Sequence, residues 1–331
     1  MGRYSILEPL SVEKKFHICL TALNFFSGLN YKDVCKIIDK KTEENVIRPM
    51  SIINFLQYLE KTILFPDAWR YQQVISNLMR KMENAGKEGV GFLGNCFYFL
   101  KEITDKQKKG KYWLALAIGA DFLEYILSPN IVQITGKNKY GDVHAGSGVF
   151  ISPKIILTCA HVLDDMKIDE AQFINEQEIR VVKHKSHPQI DVGFIEIESS
   201  YSPDEHQVVF ADPKILDEVY VMGFPKIPFT REATLIIQKG EINATNATSL
   251  DGDEVFFFSA IARPGNSGGP IVSIDGHLVG IVTKDFYAKT SETENDKKTI
   301  LPFYAGIPTS EIVRALKELD ENIILPLENY E

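Results

Sequence analysis

The stretch Arg263-Pro264-Gly265-Asn266-Ser267-Gly268-Gly269-Pro270 places one serine among three glycines, two prolines and an asparagine, directly after the apolar run Val255 to Ala262. Glycine allows positive φ angles and close backbone approach, and proline fixes its own φ, so this composition predicts a tight turn with an exposed hydroxyl. Such a turn can point the backbone N–H groups of Gly265 and Ser267 at a substrate oxygen that becomes charged, which is an oxyanion hole. The stretch therefore predicts that Ser267 is a nucleophile.

A serine hydroxyl is a poor nucleophile unless a base removes its proton, and the base in turn needs a carboxylate that orients it. The predicted base is His161, which follows the apolar strand pattern Ile155 to Thr158. The predicted carboxylate is Asp191, because it opens the alternating stretch Val192 to Ile197 and can be buried there.

The same region offers competing side chains. Two further histidines lie in the polar stretch Lys183 to Pro188, and this setting predicts solvated loop residues at His184 and His187. Three further acids also follow the predicted base along the chain: Asp164, Asp165 and Asp169. None of these acids opens an apolar strand, so Asp191 is favoured as the orienting carboxylate.

The order His161, Asp191, Ser267, with these three local contexts, resembles the chymotrypsin-like (trypsin-like) serine proteases. It is most similar to the HtrA branch, whose serine also lies in a Gly-Asn-Ser-Gly-Gly-Pro loop. No residues remain for a PDZ domain, so the resemblance covers only the protease core. It implies a serine endopeptidase that cleaves protein substrates through this triad and needs no cofactor and no metal.

From Ile131 onward the hydrophobic period changes from helical to alternating, and eleven short strand patterns predict an all-β unit. The family resemblance implies two six-stranded barrels that meet at the catalytic cleft. It also implies that Thr283, at the end of the strand pattern Val279 to Val282, lines this cleft and binds substrate. Ile261 stands where tryptic relatives have an acid, so the resemblance implies a preference for a small or medium apolar side chain.

The sequence predicts an α+β protein of two domains, with a helical domain at residues 1–128 and the double-barrel protease domain at residues 129–331. The first of these carries six helical patterns joined by short polar stretches, which predicts a compact bundle. Two of the six patterns run from Phe92 to Ile103 and from Tyr112 to Leu127.

The segment Leu23 to Lys81 resembles death-fold domains, most closely the death-effector subclass, through the apolar helix pattern Ile52 to Leu64. The Arg-x-Asp-Leu sequence expected in the last helix of that family is absent, and a bundle of no special kinship is the open alternative. The resemblance implies a homotypic or heterotypic helical-domain partner, and regulation of the protease by assembly.

The net charge of −9 is unevenly distributed. Residues 1–130 carry 18 Lys and Arg against 14 Asp and Glu, a net +4, whereas residues 131–331 carry 18 against 31, a net −13. The acidic half argues against nucleic-acid binding, and no apolar helix pattern is long enough for a bilayer span, so neither partner is expected.

The first residues lack the basic-then-apolar pattern of a signal peptide, and the four cysteines show no CxxC spacing. These features predict a reducing, cytoplasmic location. The alternative function is a scaffold or binding protein that keeps a protease fold without turnover, although the complete set of His161, Asp191 and Ser267 speaks against it.

Overall fold

A computed structural model of the protein describes residues 8–44, 46–62, 64–84, 89–90, 96–98, 112–174, 176–198, 208–249, 252–284 and 303–327. The chain divides into two compact units, Met1–Tyr125 and Ile126–Glu331. The last helical turn before the strands ends at Asn130, and the first strand of the second unit begins at Ile131. The domain boundary at residues 128 and 129 stays a prediction from the sequence.

The first part of the chain consists mainly of short helices around an aromatic core. Phe25 lies between Phe26 and Phe55, with ring centroids 4.8 Å and 5.0 Å apart. The third helix begins with a capping box formed by Ser51 and Asn54. The side chain of each residue accepts a hydrogen bond from the backbone N–H of the other. The elements are α1 (Val12–Phe25), α2 (Tyr31–Ile37), β1 (Met50–Ser51), α3 (Ile52–Lys61), α4 (Gln72–Asn84), β2 (Gly89–Val90), β3 (Cys96–Tyr98), α5 (Ala115–Ile118) and α6 (Ala120–Leu127).

One predicted helix is wrong where the structure describes it, and another is interrupted. β3 lies inside the predicted helix Phe92 to Ile103 and pairs with β1 and β2, because its aromatic residues suit a pleated strand. The rest of that segment lies outside the described residues. The predicted helix Tyr112 to Leu127 is interrupted at Gly119, whose φ of +119° ends α5. The death-fold resemblance of Leu23 to Lys81 stays a prediction.

The second unit is built from antiparallel strands, and each of the eleven predicted strands has a counterpart in it. The sequence patterns miss β7 and β8, which are two and four residues long. The strands are β4 (Ile131–Lys137), β5 (Val143–Ser152), β6 (Ile155–Thr158), β7 (Lys167–Ile168), β8 (Ala171–Ile174), β9 (Gln177–Ser186), β10 (Gly193–Ile197), β11 (Glu218–Gly223), β12 (Ile236–Thr248), β13 (Glu254–Phe258), β14 (Pro270–Ser273), β15 (Leu278–Val282) and β16 (Tyr304–Pro308).

The first seven of these strands form one sheet in the order β7-β4-β5-β6-β10-β9-β8. The family resemblance implies a closed barrel of six strands, and this sheet differs from it. Among the described residues, β4 and β8 are not paired by backbone hydrogen bonds, so the sheet does not close. The buried Gln172 of β8 bridges this gap. Its Oε1 accepts from the N–H of Thr135 on β4 at 2.8 Å, and its Nε2 donates to the C=O of Thr135 at 3.1 Å. A side-chain amide thus replaces the missing backbone pair.

The remaining six strands form the closed barrel that the resemblance implies, in the order β11-β12-β13-β16-β15-β14. β-Branched and aromatic side chains fill its interior, and Val219, Ile242 and Phe256 are fully buried there. Helix α8 (Thr309–Leu319) follows β16, one residue longer than the predicted helix Ser310 to Leu319. No helix in the described part of the chain is both long and apolar enough to cross a membrane.

The predicted site residues all lie where strands end. His161 belongs to the short helix α7 (Ala160–Asp164), which begins two residues after β6. Asp191 lies in the hairpin loop between β9 and β10, and Ser267 lies in the connection from β13 to β14. The fold therefore presents these side chains on loops that a rigid set of strands holds in place.

Candidate active site

His161 and Asp191 form a directly hydrogen-bonded pair. The imidazole Nδ1 lies 2.7 Å from Asp191 Oδ2 and 3.0 Å from Oδ1, and the backbone N–H of His161 donates to Oδ1 at 2.9 Å. Only 13% of the His161 side chain and 14% of the Asp191 side chain are exposed. The carboxylate therefore fixes both the backbone and the ring of His161, and it holds the ring proton on Nδ1 so that Nε2 can accept a proton.

The carboxylate of Asp191 is held in its ionised form. Burial opposes the charge, but the hydrogen bonds and the charge of His161, helped by the hydroxyl of Thr283, lower the pKa of Asp191 to about 2. Thr283 is buried, and its Oγ1 donates to Oδ2, the oxygen that also faces Nδ1 of His161. The hydroxyl of Thr283 thus orients the acid, while its predicted contact with substrate stays a prediction.

Cys159 brings a third potential metal ligand to this pair, because one ligand atom from each of the three residues lies within 4.8 Å of the others. Its buried Sγ donates to the C=O of Val282 at 3.0 Å. Burial, followed by the negative charge of Asp191, raises the pKa of the thiol, whereas a metal binds the thiolate. The cluster therefore suits proton transfer better than metal binding.

The Ser267 turn packs against the end of the strand that leads to His161. Gly268 has a φ of +81°, and a Cβ there would lie 2.2 Å from Thr158 Oγ1 and 3.0 Å from Cys159 N. Glycine after the serine therefore permits the close approach of the two loops. Among the described residues no hydrogen bond joins Ser267 Oγ to His161 Nε2. Without substrate such contacts are often long, and they tighten in the complex.

Hydrogen bonds to two backbone carbonyl groups fix the turn that contains Ser267. The C=O of Pro264 accepts from Lys226 N–H at 3.1 Å, and the C=O of Asn266 accepts from Gly269 N–H at 2.8 Å. Because the C=O and N–H of a trans peptide point in opposite directions, the N–H groups of Gly265 and Ser267 turn away from these partners. Neither N–H donates to an acceptor among the described residues. Both are available for an oxygen that becomes charged.

Ser147 of β5 is a residue that the sequence analysis does not single out. It is fully buried, and its Oγ donates to the C=O of Gly265 at 2.7 Å and accepts from Phe224 N–H at 2.8 Å. Its backbone N–H donates to the C=O of Ser267 at 2.9 Å. Ser147 thus ties the strand to both residues of the predicted oxyanion hole. Its place between two glycines inside an apolar strand, which indicates close backbone approach, could have identified it.

The competing histidines differ in their surroundings. His184 is exposed, as predicted, but it lies on strand β9 and not in a loop. His187 is buried, with only 5% of its surface exposed, so the prediction of a solvated residue is wrong. The polar neighbours of His187 point outward, whereas its own ring is taken up by hydrogen bonds to backbone N–H groups and to Glu318.

None of the competing carboxylates hydrogen-bonds to the imidazole of His161 in the described structure. Asp164 accepts from the hydroxyl of Ser186 at 2.7 Å, and Asp169 accepts from the hydroxyl of Thr135 at 2.8 Å. Asp165 is exposed at the end of helix α7. Asp191 is therefore the acid that the fold brings to the imidazole.

A cavity of about 620 Å³ opens beside the His161–Asp191 pair. His161, Asp191 and Thr283 contribute to its wall, together with Phe257 of β13. The cavity therefore leaves open space next to the imidazole of His161. Ile261 is 45% exposed, and its role in substrate preference stays a prediction.

Residues 146–281 match the family model described as the trypsin-like peptidase domain. The "Serine protease HtrA-like" protein of Staphylococcus aureus is 26% identical over 203 residues, which cover 56% of this chain and 24% of that protein. The "Serine protease Do-like HtrA" of Lactococcus lactis is 28% identical over 91 residues, covering 28% of this chain and 19% of the relative. The chain spans 38% or less of the length of the curated relatives that it matches.

Two solved structures match part of this chain. The serine endoprotease from Yersinia pestis matches with a TM-score of 0.46 and 23% identity, over 60% of this chain and 66% of that one. The active form of a protease from M. tuberculosis matches with a TM-score of 0.47 and 19% identity, over 62% of this chain and 86% of that one.

Proposed function

We propose that the trypsin-like peptidase domain of this chain, which includes residues 146–281, is a serine endopeptidase with Ser267 as its nucleophile. The observation that carries the proposal is the His161–Asp191 pair, with 2.7 Å between Nδ1 and Oδ2, beside a turn that holds the serine. An ionised, buried carboxylate on the imidazole is what a base for a serine hydroxyl requires.

In this mechanism Ser267 Oγ attacks the peptide carbonyl while Nε2 of His161 takes its proton. The N–H groups of Gly265 and Ser267 stabilise the oxyanion of the tetrahedral intermediate, and Asp191 stabilises the imidazolium. His161 then gives the proton to the departing amine, and a water molecule hydrolyses the acyl-enzyme by the same steps. The reaction needs no metal and no cofactor.

Degradation of casein and of a fluorogenic peptide library by the purified full-length protein tests this function. We expect turnover that His161→Ala reduces by several orders of magnitude, whereas His184→Ala, on the exposed face of β9, leaves it unchanged. Absence of turnover in a folded wild-type protein would favour the alternative function, a protease fold that serves as a scaffold. The library also reports whether the residue before the cleaved bond is small or medium-sized and apolar, as Ile261 suggests.

Gly265→Ala is expected to lower kcat by about 100- to 1000-fold, because it turns the N–H of residue 265 away from the oxyanion hole. Gly265 has a φ of +103°, and a Cβ there would lie 2.6 Å from the carbonyl oxygen of Phe224, so the peptide must rotate. Gly252→Ala is the matched control, since Gly252 also has a positive φ, +93°, but a Cβ there meets nothing within 4 Å. Steady-state kinetics with equal kcat values for the two variants would exclude Gly265 from the hole.

The helical unit is proposed to regulate the protease by assembly with a homotypic or heterotypic helical partner. Four of its large apolar side chains, Leu29, Ile47, Ile53 and Leu64, are more than half exposed, and they offer apolar contact area to a partner. Clustering raises the local concentration of the attached protease.

A drug-inducible dimerisation tag in place of residues 1–128 tests this regulation, with the same tag without the drug as the control. We expect dimerisation to stimulate hydrolysis, and we expect the basal activity of residues 129–331 to differ from that of the full chain. If neither the drug nor the truncation changes the rate at any protein concentration, the helical unit does not act as a switch.

A cytoplasmic location is also proposed. The support is that Cys35 and Cys159 are free and buried thiols, which suits a reducing compartment. Fractionation of the source cells, with the native protein detected by antibody, tests the location. Recovery of the protein in an oxidising compartment would contradict it.

A further inference from the structure

His187 is a buried polar residue that the mechanism above does not use. It opens the six-residue hairpin loop of residues 187–192, which carries Asp191. The adjoining strands make their last pair between Ser186 and Gly193, so the strand ladder does not extend into this loop. The carboxylate of Asp191 is held directly by His161 and Thr283, whereas the backbone that carries it depends on hydrogen bonds formed within the loop.

The imidazole of His187 accepts hydrogen bonds from the backbone of its own loop. Its Nδ1 accepts from the backbone N–H of Gln189 at 3.2 Å and from that of Ile190 at 2.9 Å. The backbone N–H of His187 donates to the C=O of Val192 at 2.8 Å, across the base of the loop. Ile190 directly precedes Asp191, so the ring holds the peptide that leads into the acid.

The other ring nitrogen is held from a distant part of the chain. Because Nδ1 accepts two hydrogen bonds, the ring proton lies on Nε2, which donates to Glu318 Oε2 at 2.9 Å. Glu318 belongs to α8, and the C=O of the next residue, Leu319, accepts from Lys185 Nζ on β9 at 3.0 Å. The ring is thus fixed at both nitrogens, between the loop that carries the acid and the C-terminal helix.

We propose that His187 is a positioning residue for Asp191. Its Nδ1 lone pair holds the backbone of residues 189–190 so that the carboxylate meets His161, and its Nε2–H anchors the ring to α8. Loss of the ring would leave the backbone N–H groups of the exposed Gln189 and the buried Ile190 without this acceptor, and the loop would rearrange to pair them. The effect on turnover rests on the proposed function, whereas the effect on the His161–Asp191 hydrogen bond does not.

Three variants of the full-length protein separate the two ring nitrogens. His187→Asn keeps an acceptor at the position of Nδ1, because an asparagine oxygen binds the backbone N–H two residues on in the same way. His187→Gln keeps a donor near the position of Nε2 but loses the acceptor, and His187→Ala loses both. His184→Ala is the control, since that histidine is exposed on the neighbouring strand.

Two measurements are needed. The first is steady-state kinetics, which gives kcat and KM. The second is the low-field proton NMR resonance of the His161 Nδ1–H···Asp191 hydrogen bond, which is assigned by its loss in Asp191→Ala. We expect His187→Ala and His187→Gln to lose or shift this resonance and to lower kcat by up to about 100-fold, the cost of a catalytic group displaced by about 1 Å. KM should change little. His187→Asn should restore both readouts to near the wild-type values.

Equal losses in His187→Asn and His187→Ala would overturn the proposal, because the ring would then only fill space. An unchanged resonance in His187→Ala would overturn it as well. If thermal unfolding shows that His187→Ala does not fold, the contrast between the Asn and Gln variants decides the question. If the wild-type protein shows no turnover, the proposed function fails, and the resonance alone still decides the positioning role.

Discussion

Ser267→Ala is expected to abolish peptide hydrolysis, with a loss in kcat of about a millionfold, while the protein stays folded. Alanine removes only the attacking oxygen. The C=O of Ser267, which accepts from Ser147 N–H, and the N–H that faces the oxyanion belong to the backbone and remain. The variant should therefore keep the oxyanion hole and bind substrate with nearly the wild-type affinity.

Single-turnover kinetics on a fluorogenic peptide, together with binding of the uncleaved peptide, measure both properties of Ser267→Ala. Ser310→Ala is the matched control, because Ser310 is exposed on α8 and lies outside the site. A folded Ser267→Ala protein that cleaves as fast as this control would exclude Ser267 as the nucleophile.

Asp191→Asn is expected to lower kcat by about ten-thousandfold with little effect on folding. The carboxylate now accepts the hydrogen of His161 Nδ1, whereas a carboxamide can present its NH₂ group to this nitrogen. Nδ1 would then accept a hydrogen bond, and the ring proton would move to Nε2. An imidazole with its proton on Nε2 cannot take the proton of Ser267.

Steady-state kinetics across the neutral and mildly alkaline range measure this effect. Asp169→Asn is the matched control, because Asp169 also accepts from a threonine hydroxyl, that of Thr135, but lies away from His161. If Asp191→Asn loses no more activity than Asp169→Asn, the imidazole is oriented by another group, and the assignment of Asp191 is wrong.

The sequence predicts the acid–base part of the site because strong local patterns flank each residue. His161 follows an apolar strand, Asp191 precedes one, and Ser267 lies in a turn rich in glycine. Each pattern needs only neighbouring residues to be recognised, and the structure brings His161 and Asp191 into contact. The strands of the second unit and the helix α8 follow from equally local periodicity, whereas the closed barrel is implied by the family resemblance.

The supporting residues could not be predicted in this way, because their roles depend on distant partners. His187 lies among polar neighbours and is expected to be solvated, but Glu318, 131 positions later, bonds to its ring. Ser147 is bonded to Gly265, 118 positions later. Gln172 closes a gap between two strands that only the tertiary fold brings together. No local pattern contains these contacts.

In the helical part of the chain, local sequence patterns predict secondary structure that the fold does not adopt. The apolar run Phe92 to Ile103 suits a helix by its composition, but pairing with β1 and β2 selects a strand at Cys96–Tyr98. Gly119 interrupts an apolar run that otherwise looks continuous, because its positive φ ends a helix. Short apolar runs are compatible with either helix or strand until their partners are known.

Fluorophosphonate labelling of the full-length protein, followed by peptide mass spectrometry, tests most directly whether Ser267 is an activated nucleophile. A fluorophosphonate reacts with a serine that has a general base and an oxyanion hole, so labelling reports on both at once. We predict one adduct, on the peptide that contains Ser267, which is strongly reduced in His161→Ala and absent in Ser267→Ala. A folded wild-type protein that stays unlabelled, or an adduct on Ser267 that His161→Ala leaves unchanged, would contradict the proposed catalytic site.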